Sequence, residues 1–84
     1  MRINKSRARG GASTVSVDWK TVGRRIRELR GFDMTQEEFA RRIGISQNYL
    51  STMERGNVQI GCEIILKMSR EFGKSMEWLL TGED

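Results

Sequence analysis

The side chains best placed to do chemistry in this sequence are amides, hydroxyls and guanidinium groups. Gln36 and Gln47 each open a short helical pattern, Q-E-E-F-A-R-R-I and Q-N-Y-L-S-T-M-E. A helix N-terminus presents unpaired N–H groups and the positive end of a dipole, which favours an anion such as a phosphate. A glutamine amide carries a donor beside an acceptor and so fits the N6 and N7 edge of adenine. Asn48, Ser51 and Thr52 are short polar side chains on the face of the second pattern opposite Leu50 and Met53. They are able to approach base edges or phosphates, but by themselves they also describe a plain solvated face. Tyr49 divides between partial packing and a hydrogen bond to a phosphate.

Other chemistries are poorly served. The chain has no His and one Cys, Cys62, so neither a disulfide framework nor a His/Cys zinc site can form within it. No nucleophile–base pair and no phosphate-cradling glycine loop is visible, so we expect no enzyme, no cofactor and no metal. With 84 residues there is enough chain for one domain. A domain of that size buries only about 60% of its unfolded surface, so a partner subunit would help its stability. No apolar run approaches the roughly 20 residues of a membrane span. Arg2 and Lys5 are not followed by the apolar stretch of a secretory signal, which makes the cytoplasm the simplest location.

The net charge is +4, and its placement says more than its size. Residues 1–17 hold Arg2, Lys5, Arg7 and Arg9 and no acid, while the remaining 11 bases face 11 acids. Within that balanced part, residues 19–55 carry eight bases and five acids, and residues 56–84 carry three bases and five acids. One basic end and a basic arm suit a polyanion at that end.

These side chains need elements to position them. Residues 1–17 are basic, rich in Gly and Ser and without helical period, which reads as a flexible arm ahead of a folded part at 18–84. Asp18 is a suitable N-cap for a first helix to Arg30, with Val22, Ile26 and Leu29 as its apolar stripe. Gly23 inside that helix costs roughly 1 kcal/mol against Ala, and close backbone approach would explain it. Thr35 with Glu38 forms a capping box for the second helix. Ser46 opens the third, which stops at Gly56. Ala40 is small enough for a close helix crossing, and Gly44 can take the positive φ that a tight interhelical turn needs. A fourth helix spans about Cys62 to Phe72, with Ile65, Leu66, Met68 and Phe72 for the core and Cys62 as a small core filler. Ser75 caps a fifth, M-E-W-L-L. Trp19, Met34, Met68, Met76 and Trp78 read as core or interface residues. Each proposed helix is followed by a glycine and there is no Pro, so the fold class is all-α, five short helices around one core.

Four blocks carry a family resemblance: V-G-R-R-I-R-E-L-R, T-Q-E-E-F-A-R-R-I-G-I-S, Y-L-S-T-M-E-R-G and S-M-E-W-L-L-T-G-E. In type, order and spacing residues 19–82 resemble the Cro/lambda-repressor-like (XRE-type) helix-turn-helix family, and the chain is similar to short phage repressors and restriction–modification controller proteins. Three positions depart from the pattern: Ile60 where Pro is frequent, Cys62 where a larger aliphatic is usual, and Lys74 where an apolar residue is common.

The resemblance implies a DNA-binding transcriptional regulator, a repressor, that binds a two-fold-related operator as a homodimer through the helix at residues 47–55. It implies DNA contacts from Gln36, Ser46, Gln47, Asn48, Ser51, Thr52 and Arg55, with Gln36 on a phosphate and Gln47 on a base. It implies a structural ion pair between Arg30 and Glu54, which would keep that acid from repelling phosphates. Dimer contacts would come from Trp78, Leu79 and Leu80, and the arm would touch DNA through Arg2, Lys5, Arg7 and Arg9. The alternative is an antitoxin or assembly module that keeps the fold but binds a protein partner.

Overall fold

The computed structural model describes residues 16–83. Among them are five helices and no strand: α1 (Trp19–Arg30), α2 (Gln36–Ile43), α3 (Gln47–Glu54), α4 (Cys62–Phe72) and α5 (Met76–Thr81). The arm calls at Arg2, Lys5, Arg7 and Arg9 lie outside the described residues.

Local chemistry sets most of the helix ends. The Asp18 carboxylate accepts the Lys20 N–H at 3.1 Å and the Thr21 hydroxyl at 2.9 Å. Those two bonds, the Thr21 hydroxyl first, hold the Asp18 carboxyl below the ordinary carboxylate range. Thr35, Ser46 and Ser75 accept the N–H groups of Glu38, Tyr49 and Trp78 at 3.1, 3.1 and 2.9 Å. The return bond of the expected capping box does not form; the Glu38 carboxylate instead lies 3.7 Å from Arg42 one turn on. Only α4 begins without a side-chain cap, at Gly61.

The turn between α2 and α3 depends on Gly44. Its φ of 77° lies in the left-handed region, where a Cβ would be strained. The Ile45 N–H then donates to the Ala40 carbonyl at 3.0 Å and the Gly44 N–H to the Arg41 carbonyl at 3.3 Å. This pair of bonds is the Schellman motif, and it ends α2 so that three residues lead into α3.

The core is built from Val22 and Ile26 of α1, Phe39, Ala40 and Ile43 of α2, Leu50 and Met53 of α3, Ile65 and Met68 of α4, Leu79 of α5, and Ile60. Phe72 closes it by stacking on Phe39, ring centroids 4.5 Å apart. α1 packs on α3 and α5, α2 on α3 and α4, and α4 on α5. The α2–α3 pair is therefore braced by α1 and α4. Two expectations about α4 are corrected. Leu66 is exposed rather than core, because Ile65 and Met68 already fill the buried side of the helix. Cys62 is also exposed: it stands in the first turn of α4, ahead of the buried stripe.

Gly23 marks a close helix contact. A Cβ built there would lie 2.5 Å from the carbonyl oxygens of both Met53 and Glu54, at the end of α3. Neither is a side chain that can swing away, so α1 and α3 must separate if the position is filled. Gly23→Ala should destabilise the fold by about 1–3 kcal/mol despite the gain in helix propensity. Urea denaturation checks this; a variant as stable as the parent would show that α1 and α3 can separate at little cost.

Candidate nucleic-acid interface

α3 divides cleanly into two sides. Leu50, Met53 and Glu54 are buried, whereas Gln47, Asn48 and Arg55 are exposed and Ser51 and Thr52 half-buried. The structure thus brings four of the sequence-derived site residues to one side of one helix, with Ser46 exposed at its start and Arg55 exposed at its C-cap. The hydroxyls are not equally free. Thr52 donates its proton to the Asn48 carbonyl at 3.0 Å, while Ser51 accepts from the Arg55 guanidinium at 2.6 Å. Ser46 Oγ is occupied as acceptor by the cap but keeps its own proton for donation. Gln47 and Asn48 present their amides at the N-terminal turn, where the helix dipole favours anions.

Glu54 is the exception on α3, an acid whose side chain is 1% exposed. Arg30 reaches it with two parallel bonds, Nε to Oε2 at 2.8 Å and Nη2 to Oε1 at 2.9 Å. This bidentate geometry is the strong form of the pair, and the hydrogen bonds that Arg30 donates to Glu54 raise the Arg30 guanidinium above its ordinary value. Gln36 Nε2 adds a third bond to Oε1 at 2.9 Å, and Arg30 Nη1 donates to the Met34 carbonyl at 3.2 Å. One carboxylate therefore ties α1, α2 and α3 together, Arg30 extends the tie to the loop before α2, and the charge of the acid is neutralised. The Gln36–Glu54 bond was not foreseen. It spans 18 residues and comes from the crossing of two helix ends, for which the sequence carries no local signal.

Arg27 was missed as well. Its Nε lies 3.7 Å from Glu54 Oε1, and its side chain is 62% exposed. A signal existed: Gly23, Arg27 and Arg30 follow one another at four and three residues, so they share one side of α1.

The C-terminal helix requires a correction. Leu79, expected at a dimer interface, is fully buried against the chain's own core and cannot reach a partner. α5 lies on α1 and α4 and turns this side chain inward, and Arg25 Nη1 fastens the Leu79 carbonyl at 3.0 Å. Trp78 and Leu80 remain half-buried, with Lys74 Nζ 4.8 Å above the Trp78 ring. Among the described residues no His/Cys/Asp/Glu group could hold a metal ion, and no helix is long and apolar enough to cross a membrane.

Comparison with known proteins bears on the same residues. A family model described as helix-turn-helix matches residues 24–79, two thirds of the chain. The antitoxin PezA of Streptococcus pneumoniae is 41% identical over 64 residues, which cover 75% of this chain. That relative is longer: the chain spans 40% of its length, and only 14% of a second curated relative. Among solved structures, the restriction-modification controller protein C.AhdI from Aeromonas hydrophila superposes with a TM-score of 0.67 at 30% identity, over 75% of this chain and 93% of that one. The P22 c2 repressor protein, solved in complex with synthetic operator 9T, gives 0.69 at 28% identity over 74% and 96%.

Proposed function

The chain belongs to the helix-turn-helix family of DNA-binding regulators, of the Cro/lambda-repressor (XRE) type, and from that premise we propose a sequence-specific transcriptional repressor. It binds a two-fold-related operator as a homodimer, with α3 in the major groove and the α3 helices of the two subunits about 34–36 Å apart, one DNA turn. The observation that carries this reading is the polarity of α3. Every apolar side chain and the one acid of the helix face inward, leaving amides, hydroxyls and a guanidinium outward on a braced support. Gln47 reads a base edge; Gln36, held by Glu54, sets the chain on the backbone together with the N-terminus of α2. Catalysis forms no part of this function, and a cytoplasmic location follows from the nucleic-acid partner.

Selection of bound sites from a random duplex pool tests the reading, followed by affinity for the best site and its single-base variants at one fixed salt concentration. Gln47→Ala should cost about 1–3 kcal/mol on the best site and relax preference at one base pair per half-site. Gln36→Ala should weaken good and poor sites by similar factors. A folded Gln47→Ala protein with unaltered preference at every position would move specificity to Asn48, Ser51 and Thr52 or to DNA shape.

The identity with PezA favours a second reading, an antitoxin or assembly module that binds a protein partner. On that reading no sequence is enriched from the pool, and duplex binding lacks the steep salt dependence of multiple phosphate contacts.

A further inference from the structure

We infer that Arg27 is a phosphate-contact residue of the DNA interface, held beside Glu54 in the free protein and released to the backbone when DNA binds. The inference rests on the DNA-binding reading above and extends it to α1. The Glu54 carboxylate has three hydrogen-bond donors without Arg27. Its two oxygens already take Arg30 Nε at 2.8 Å, Arg30 Nη2 at 2.9 Å and Gln36 Nε2 at 2.9 Å. At 3.7 Å the Arg27 nitrogen stands outside the 2.7–2.9 Å of a charge-assisted bond. Arg30 also cancels the charge of Glu54, so the whole group carries one net positive charge, and Arg27 is the exposed arginine of the two: 62% against 18%.

Position decides what that charge serves. Arg27 Nε and Gln36 Nε2 meet the same oxygen, Glu54 Oε1, at 3.7 and 2.9 Å, so the two nitrogens are within about 7 Å of each other. Gln36 is the first residue of α2, where unpaired N–H groups and the helix dipole favour a phosphate. A guanidinium at that distance reaches the same phosphate or its neighbour, and its planar fork matches phosphate oxygens. Leaving Glu54 breaks no hydrogen bond. Along α1 the exposed Lys20 and Arg24 extend the positive potential, and Glu28, next to Arg27 in sequence, is the acid that opposes it.

The test uses the full chain, the operator duplex selected as above and a scrambled duplex, with equilibrium affinity measured between 50 and 200 mM salt. Arg27→Gln should make the slope of log K against log salt shallower by about 0.9, so that the wild-type advantage shrinks roughly 3.5-fold across that range. The loss should be similar on both duplexes, base preference should be unchanged, and the thermal melt should match wild type. Arg27→Lys should keep the slope, since a point charge suffices for counterion release. A wild type that binds with a steep salt dependence and an Arg27→Gln variant with the same slope would overturn the inference and leave the DNA-binding reading intact. A lowered melting temperature with an unchanged slope would overturn it too, assigning Arg27 to the Glu54 network alone. A wild type without salt-sensitive duplex binding would sink both.

Discussion

Arg30→Ala should destabilise the fold by about 3–5 kcal/mol, the usual cost of removing one partner from a buried ion pair. The expected loss is large because Glu54 cannot follow its partner into water. Its side chain is 1% exposed and lies where Gly23 brings α1 onto the end of α3. With Arg30 gone, Glu54 keeps the Gln36 amide and an Arg27 that must close in from 3.7 Å. The Met34 carbonyl loses its donor at the same time, which loosens the loop leading into α2. At roughly 0.05–0.15 kcal/mol per residue, the stability of a chain this short is of the same order as the loss. The urea midpoint reports it, provided the slope of the transition is unchanged.

The double substitution Arg30→Met with Glu54→Met separates the charge from the scaffold. Replacing both partners by apolar side chains of similar volume is often neutral or stabilising, so most of the lost stability should return. Gln36 would then have no carboxylate to hold it, and DNA binding should be weaker than that of wild type on every sequence. An Arg30→Ala protein within about 1 kcal/mol of wild type would mean that Glu54 finds water or Arg27 at little cost, and the network would lose its claim to orient Gln36.

What could be read from the sequence was mostly what neighbours in sequence decide. The caps at Asp18, Thr35, Ser46 and Ser75 need only a side-chain oxygen and an N–H two or three residues on, so residue type and spacing suffice. Gly23 was legible for a different reason: a glycine inside a helix is costly enough to need a tertiary cause, and the Met53 and Glu54 carbonyls supply it. Where apolar residues run consecutively, the direction of each side chain is not encoded locally. Ile64, Ile65 and Leu66 offer no choice of face until α2 and α5 pack against α4, and Leu66 is then left outside. The departures from the family pattern resolve in the same way. Ile60 is buried in the core, while Lys74 lies over the Trp78 ring. In the candidate interface, the outward side of α3 followed from helical period alone. The Gln36–Glu54 bond depends on how two helix ends cross, which one chain's pattern does not specify, whereas Arg27 was legible only through its spacing from Gly23 and Arg30.

The same ambiguity in α5 leads to the sharpest test of the corrected interface. In Met76, Trp78, Leu79 and Leu80 four of five consecutive residues are apolar, so sequence alone allowed Leu79 to face a partner. It is instead fully buried between α5 and the rest of the core. Leu79→Ala should cost about 2–5 kcal/mol, the loss of buried methylenes plus the cavity they leave. Leu79→Glu should cost more than about 5 kcal/mol, because a carboxylate would be desolvated among apolar side chains, and the protein should lose its helical circular dichroism. Leu80→Glu makes the contrast. Leu80 is half-buried on the same helix, so this variant should remain helical. If Leu80 and Trp78 contribute to self-association, the Leu80→Glu protein should sediment as a monomer and bind a two-fold-related operator more weakly, while an isolated half-site is bound as before. A folded, helical Leu79→Glu monomer would refute the inward placement of Leu79 and return it to the interface. A Leu80→Glu protein that sediments as wild type does would remove the outer side of α5 from self-association and leave the burial of Leu79 untouched.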